Sequence, residues 1–270
     1  MSNGYSRMAR PMTFAPLVWK PFTLICHIYT CLRIFVNSGI GTFRNPTPNS
    51  DMEILTPFQK QLLSAIGQTK LAENFYLTGG TALAAFYLQH RFSEDLDFFT
   101  ADPNALRLVQ PSLTDACQQL GATLHFSRTF NTFIECFVRQ PEGESVKLDF
   151  AQDTPYRLQP TELNVAFGLQ VDNLLDIASN KLSALFDRSA EKDFVDIYFI
   201  NQERMAFAEM LPFARQKHVG MDDYWLAISL QRVRQVKLLP RMVKPLSIAD
   251  LQAYFLKLAD DLMAGMDAPV

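Results

Sequence analysis

Two aspartates one residue apart, Asp95 and Asp97, stand in the apolar frame "DLDFF". The alternation there is that of a strand, which puts both carboxylates on one face. Adjacent half-buried carboxylates repel each other unless a cation compensates them. A hard divalent ion that takes one or two protein carboxylates and fills its shell with phosphate oxygens suits such a pair. A third acid, Asp149 in "VKLDFA", lies in another strand-like run. It could complete the metal cage, act as general base on an attacking hydroxyl, or simply face solvent at a strand end.

Upstream, "NFYLTGG" runs as a strand into a turn at Gly79 and Gly80. Glycines there permit backbone angles closed to other residues and let a ligand approach the main chain, and Thr81 is placed to cap the following helix. A helix start with free amides is an anion site; the plain alternative is a tight turn with no ligand. Arg91 and Ser93 lie between this helix and the metal strand. Arg91 either contacts a phosphate or favours the helix C-terminus by its charge, and the capping role is the expectation adopted.

Further along, "ASNKLSALFDRSAEKDFVDIYFI" places Lys181 and Arg188 on one helix, with Asp193 and Asp196 three apart on the next. The two cations could grip the phosphates or base of a nucleotide, or could pair with the two acids and pin the helices together. The chain has no Ser/His/Asp or Cys/His arrangement and no "GxxxxGK[ST]" loop.

The elements that must hold these residues follow from periodicity. Helical spacing of Leu62, Leu63, Ile66 and Leu71 marks a first helix, with Pro57 in its first turn. Strand, glycine turn, helix over "TALAAFYLQH" and strand come next, then a helix stopped by Gly121. Three strand-like runs, "ATLHFSRTF", "TFIECFVRQ" and "ESVKLDFAQ", precede a further strand around Asn164 to Val171. After Leu174 every segment reads as helix, including Asp222 to Lys237 and Ile248 to Met263. The order is mixed α/β followed by a helical bundle.

Composition narrows the class. The 270 residues are 48% hydrophobic, enough for a substantial core. Residues 1–50 hold five Lys or Arg and no acid, which leaves 20 basic against 28 acidic residues beyond them. That acidic balance argues against nucleic-acid binding through a bulk positive surface, although a local basic groove is compatible with it. Cys26, Cys31, Cys117 and Cys136 show no CxxC or zinc spacing, so a reducing cytoplasm is the expected setting. Five of fifteen prolines fall in the first fifty residues. That stretch could be a targeting peptide or a membrane-surface segment; it is taken here as a poorly packed extension upstream of a start at Met52. The expected division is therefore 1–51 extension, 52–173 catalytic α/β core and 174–270 helical region.

Taken together, "TGGTALAAFYLQHRFSEDLDFF", "KLDF" and "KLSALFDRSAEKDFVDIYF" resemble the AbiEii-type toxin family of nucleotidyltransferases, from about Phe75 to Ile200. The resemblance implies an α+β fold with a nucleotidyltransferase-type mixed sheet. It implies transfer of an NMP from an NTP to an acceptor hydroxyl, with Mg2+ or Mn2+ held by Asp95, Asp97 and Asp149, and with Lys181 in the catalytic set. Gly79, Gly80, Thr81, Arg91, Ser93, Lys181, Arg188, Asp193 and Asp196 would bind the nucleotide. Family members pair with an antitoxin, serve in abortive infection, and some modify the acceptor end of tRNA. Two rivals remain open at this point: a nucleotidyltransferase acting on a small molecule, and a binding module of the same fold without catalysis. Arg232, Arg234, Lys237, Arg241 and Lys244 could supply the positive surface that a tRNA needs, or form the solvated face of a helix.

Overall fold

The computed structural model describes residues 53–266 apart from Glu142. The extension expected over residues 1–51 lies outside the described residues. Pro57 opens α1 (Pro57–Gly67), and Thr56 and Gln59 close a reciprocal cap: the Thr56 hydroxyl accepts the Gln59 amide at 3.1 Å, and the Gln59 side chain accepts the Thr56 amide at 2.9 Å. The buried Gln59 amide group also donates to the Ser93 and Glu94 carbonyls, at 3.2 and 3.1 Å. A side chain spent on capping thus also fixes the segment that leads into the acidic strand. The first helix is shorter than the spacing suggested, because Leu71 begins a separate turn, α2 (Leu71–Asn74).

Among the described residues seven strands form one mixed sheet: β1 (Tyr76–Thr78), β2 (Leu96–Thr100), β3 (Thr123–Thr129), β4 (Phe133–Arg139), β5 (Ser145–Gln152), β6 (Glu162–Asn164) and β7 (Leu169–Val171). Their spatial order is β3-β4-β5-β2-β1-β7-β6, with β2/β5 and β1/β7 parallel and the other neighbours antiparallel. The single strand expected around Asn164 to Val171 is two short ones, since the intervening residues turn at Gly168, where φ is +66°.

The two central strands carry the logic of the fold. Leu96 and Phe98 on β2, and Leu148 and Phe150 on β5, are fully buried on one sheet face, where Phe98 and Phe150 stack with ring centroids 5.0 Å apart. Because side chains alternate, Asp97 and Asp149 must emerge on the opposite face. Burying the phenylalanines therefore sets the register of the acids.

Between β1 and β2 lies α3 (Gly79–Ala82), which widens into a π-helical stretch over Leu83–Leu88 and ends at Gln89, with φ +53°. After the sheet come α5 (Leu174–Arg188), α6 (Glu191–Glu203), α7 (Phe207–Lys217), α8 (Asp223–Gln231) and α9 (Ile248–Met266), with α4 (Val109–Leu120) packed earlier beside α1. The helix expected to reach Lys237 passes into a 3-10 turn and ends at Gln235. α6 is buried nearly all round over its middle turns, with Phe194, Val195, Ile197 and Ile200 in the core. Its Asp193 and Asp196 are buried with it. Beyond α8 the chain returns to the sheet side: Phe92 donates its amide to the Arg241 carbonyl at 2.8 Å, and Arg91 bridges Met242. Among the described residues no helix is long and apolar enough to cross a membrane.

Candidate active site

The glycine turn is shaped by what presses against it. Gly79 has φ +72°, and a Cβ there would come within 2.1 Å of the Asp97 Oδ2. At Gly80 a Cβ would meet the Arg91 Nη2 at 2.6 Å and the Ser93 Oγ at 3.2 Å. Two glycines are needed because an acid and a guanidinium crowd the same turn. Thr81 does not cap the helix as expected: it is fully buried, and its hydroxyl donates to the Asp95 carbonyl. That bond fastens the turn to the acidic segment and leaves Thr81 no free hydroxyl donor for a phosphate. The N-cap is Thr78, whose side chain makes no capping bond and instead donates to Asp172 Oδ2 at 2.7 Å. The first amides of α3 are thus left without a side-chain partner.

Across the sheet, Thr78 pairs with Asp97, Asp97 with Asp149, and Asp149 with Glu135. Asp95 falls just before β2 rather than within it, with its side chain 40% exposed. Burial, and then the neighbouring Asp149 charge, push the Asp97 carboxyl above the ordinary carboxylate range. The Asp149 Oδ1 is buried with no hydrogen-bond partner among the described residues. Glu135, fourth in the row, is already engaged by the Ser127 hydroxyl at 2.5 Å and by Arg128 at 3.3 Å.

Do these groups suit a divalent ion? Their chemistry does: Asp95, Asp97 and Asp149 line one cleft, Asp97 destabilised as an anion and Asp149 with an orphaned oxygen. They do not stand ready to coordinate, since among the described residues no three acidic, histidine or cysteine side chains converge as a metal-binding group. Lys147 intervenes, its Nζ 2.8 Å from Asp149 and 3.5 Å from Asp95.

Facing the acids is a wall of cations. Lys181 and Arg188 of α5 and Lys192 of α6 line the cleft together with Arg91. Behind them, Asp196 is fully buried and receives Lys181 at 2.7 Å, the Arg91 Nε at 2.7 Å and Nη2 at 2.9 Å, and the His90 Nε2 at 2.7 Å. Burial would raise the Asp196 carboxyl, but Lys181, Arg91 and His90 hold it well below the usual range. Asp193, equally buried, takes both Nε and Nη2 of Arg188, at 2.7 and 2.9 Å.

Two expectations are corrected by this arrangement. Asp193 and Asp196 were assigned to nucleotide contacts, yet neither lines the cleft, and their oxygens are spent on the cations in front. They aim Lys181 and Arg188 instead. Arg91 was expected to serve the preceding helix C-terminus; that end is closed by the left-handed Gln89, and Arg91 forms a buried bidentate pair with Asp196. Of the two readings of the Lys and Arg pair, the helix pin is present in the ion pairs to Asp193 and Asp196, and the same side chains line the cleft where a ligand grip would act.

The cleft measures ≈ 400 Å³ and gathers Gly79, Gly80, Arg91, Ser93, Asp95, Asp97, Asp149, Lys181 and Arg188 from the residues singled out in the sequence. It also contains Lys147, Asp153, Asn180 and Lys192, which the sequence reading missed. Lys147 was accessible to that reasoning, being two residues before Asp149 on the same strand face. Asp153 depends on a hydrogen bond from the Tyr76 hydroxyl at 2.8 Å, which no local pattern announces.

A family model, "Nucleotidyl transferase AbiEii toxin, Type IV TA system", matches residues 61–268 of the chain. An uncharacterized protein of Aquifex aeolicus (strain VF5) is 27% identical over 172 residues, covering 63% of this chain and 79% of that protein. Among solved structures, MenT4, a nucleotidyltransferase toxin from Mycobacterium tuberculosis H37Rv, is similar with a TM-score of 0.54 and 19% identity, over 79% of this chain and 83% of that one. JHP933 from Helicobacter pylori aligns at a TM-score of 0.45 and 20% identity, over 77% of this chain and 90% of that one. The MenT4 likeness is one of fold and agrees with the mixed sheet described above.

Proposed function

The chain belongs to the AbiEii nucleotidyl transferase toxin family and is a nucleotidyltransferase, and from that premise we propose that it moves an NMP from an NTP to the hydroxyl of a tRNA, with a divalent metal ion, as the toxin of a toxin-antitoxin pair. The observation that carries the reading is the cleft in which Asp97 and Asp149, in direct register on β2 and β5, face Lys181 and Arg188 across the glycine turn. Acids on one wall and cations on the other are what a metal-bound triphosphate requires.

Asp95 and Asp97, with Asp149 beside them, would hold Mg2+ or Mn2+, which when bound neutralises charge on the α-phosphate and the leaving pyrophosphate. The free amides of Gly79 and Gly80 bind the polyphosphate. Lys181 and Arg188, held in place by Asp193 and Asp196, meet its remaining negative charge. The acceptor oxygen attacks the α-phosphorus as its proton passes to Asp149. The bond from the α-phosphorus to the bridging oxygen breaks, and pyrophosphate leaves with that electron pair. Most of the acceleration comes from positioning and preset charge.

A tRNA acceptor is supported by the surface next to the cleft. Exposed Arg232 and Lys237 share a hollow with Ser189 and Glu191, at the α5–α6 junction whose neighbours Arg188 and Lys192 line the site. Such cations suit a phosphodiester backbone. Arg241 and Lys244 from the same cluster are engaged elsewhere, Arg241 over the Phe92 ring at 4.1 Å and Lys244 on Glu203 at 2.7 Å. An encoded antitoxin and a cytoplasmic setting accompany the toxin reading.

The test is incubation of the purified chain with each α-labelled NTP and total tRNA, with and without magnesium, and separation of products on a gel. Label in tRNA that needs magnesium and vanishes in Asp95→Ala supports the reading. Labelled small molecules in place of tRNA would replace the acceptor, and transfer undiminished by a chelator would remove the metal.

A further inference from the structure

Asp95 and Asp149 touch one cation among the described residues, and it is Lys147. The other basic side chains with ion-pair partners in the cleft are committed elsewhere: Lys181 and Arg91 to Asp196, and Arg188 to Asp193. Lys147 precedes Asp149 by two residues on β5 and so shares its face. The pairing of Leu96 with Leu148 brings Asp95 level with Lys147 on the adjoining strand. One ammonium therefore bridges Asp95 and Asp149 from the space between them, while the foremost compensating charge on Asp97 is Lys181 of the opposite wall.

The contrast with the opposite wall is chemical. Arg91 and Arg188 are planar forks held bidentately on fully buried acids, Arg91 buried with its partner and Arg188 half exposed but gripped at two points. Lys147 is a point charge on a flexible four-carbon stem, a quarter exposed, held by Asp95, whose side chain is 40% exposed, and by Asp149. It can leave without breaking the core.

We propose that Lys147 is the built-in counter-ion of the acidic row: its ammonium competes with a divalent cation for the Asp95 and Asp149 oxygens, and loading the site requires Lys147 to swing away. The inference rests on the metal reading of the row given above. It also accounts for why three acids can share a cleft in the folded chain without converging as a metal-binding group.

The competition is measured without nucleotide or turnover, by titrating the full chain with Mn2+ alone and reading free Mn2+ by electron paramagnetic resonance. Lys147→Met should bind Mn2+ about fivefold more tightly than the wild type, the scale of one partly exposed ion pair. Lys147→Gln should match it, and Lys147→Arg should not bind more tightly than the wild type. Unchanged or weaker Mn2+ affinity in folded Lys147→Met and Lys147→Gln, with the wild type still binding, would overturn the competition and leave the metal reading standing. Absence of Mn2+ binding in the wild type and in both uncharged variants would overturn the two together.

Discussion

Asp97 and Asp149 are direct partners across the parallel pair β2 and β5, so two carboxylates that alternate with stacked phenylalanines are forced onto neighbouring positions of one face. Burial and the Asp149 charge raise the Asp97 carboxyl, which means the folded chain binds a proton there more readily than the unfolded chain. The charged form therefore costs stability at neutral pH, and the cost disappears as pH falls through the raised folded value. Asp97→Asn should abolish transfer while raising Tm by about 2–4 °C at neutral pH, the shift that ~1 kcal/mol produces in a chain of this size. The difference from wild type should shrink toward acid pH. Thermal unfolding across the pH range tests this, and a lower Tm for Asp97→Asn at neutral pH would refute it.

The glycine turn yields a second expectation. Gly79→Ala places a methyl group against Asp97 at a positive φ, so both strain and collision oppose it. A loss of about 1–3 kcal/mol in urea unfolding is expected, together with loss of triphosphate binding. Gly80→Ala meets the end of Arg91, but Asp196 holds that guanidinium at two points and limits its retreat. Its stability cost should be smaller, with triphosphate affinity by calorimetry still reduced.

How much of this was legible in the sequence depended on range. Strand alternation around Asp97 and Asp149 is a local pattern and survived into the structure with its face intact. The glycines were recognised, but the reason for them is the approach of Asp97 and Arg91, residues distant in the chain, and Thr81 spends its hydroxyl on Asp95 for the same reason. Lys181, Arg188, Asp193 and Asp196 were found as a set, whereas their division into cleft wall and buried backing needed the packing of α6 through the core. Boundaries failed where short elements meet, as at Leu71, Gly168 and Gln235.

The backing acids are expected to act through the cations they aim. Asp196→Asn leaves Lys181 and Arg91 without a full counter-charge in a buried setting, and a loss of about 3–5 kcal/mol is the usual scale for breaking such a pair. Asp193→Asn should be milder, because Arg188 is half exposed and water can replace its partner. For Asp193→Asn the expected signature is weakened triphosphate binding with little change in unfolding. Equal stability losses for the two variants would contradict this division.

His90 supplies the last expectation, because it is fully buried against Asp196 and its Nδ1 has no hydrogen-bond partner among the described residues. Burial lowers its affinity for a proton, only partly offset by Asp196, so the folded chain keeps His90 neutral to lower pH than the unfolded chain does. As pH falls below about 6.5 the unfolded chain takes up a proton that the folded chain refuses, and stability drops by up to about 1.4 kcal/mol per pH unit until the lowered folded value is reached. Asp97 contributes a slope of opposite sign on the acid side, since its folded carboxyl is raised. The two separate in an Asp97→Asn background, where unfolding free energy should fall from about pH 6.5 downward. Adding His90→Gln, whose amide can still donate to Asp196, should flatten that fall. A slope that persists in the double variant above about pH 5, before the depressed Asp196 carboxylate adds its own loss in acid, would place the titrating group elsewhere.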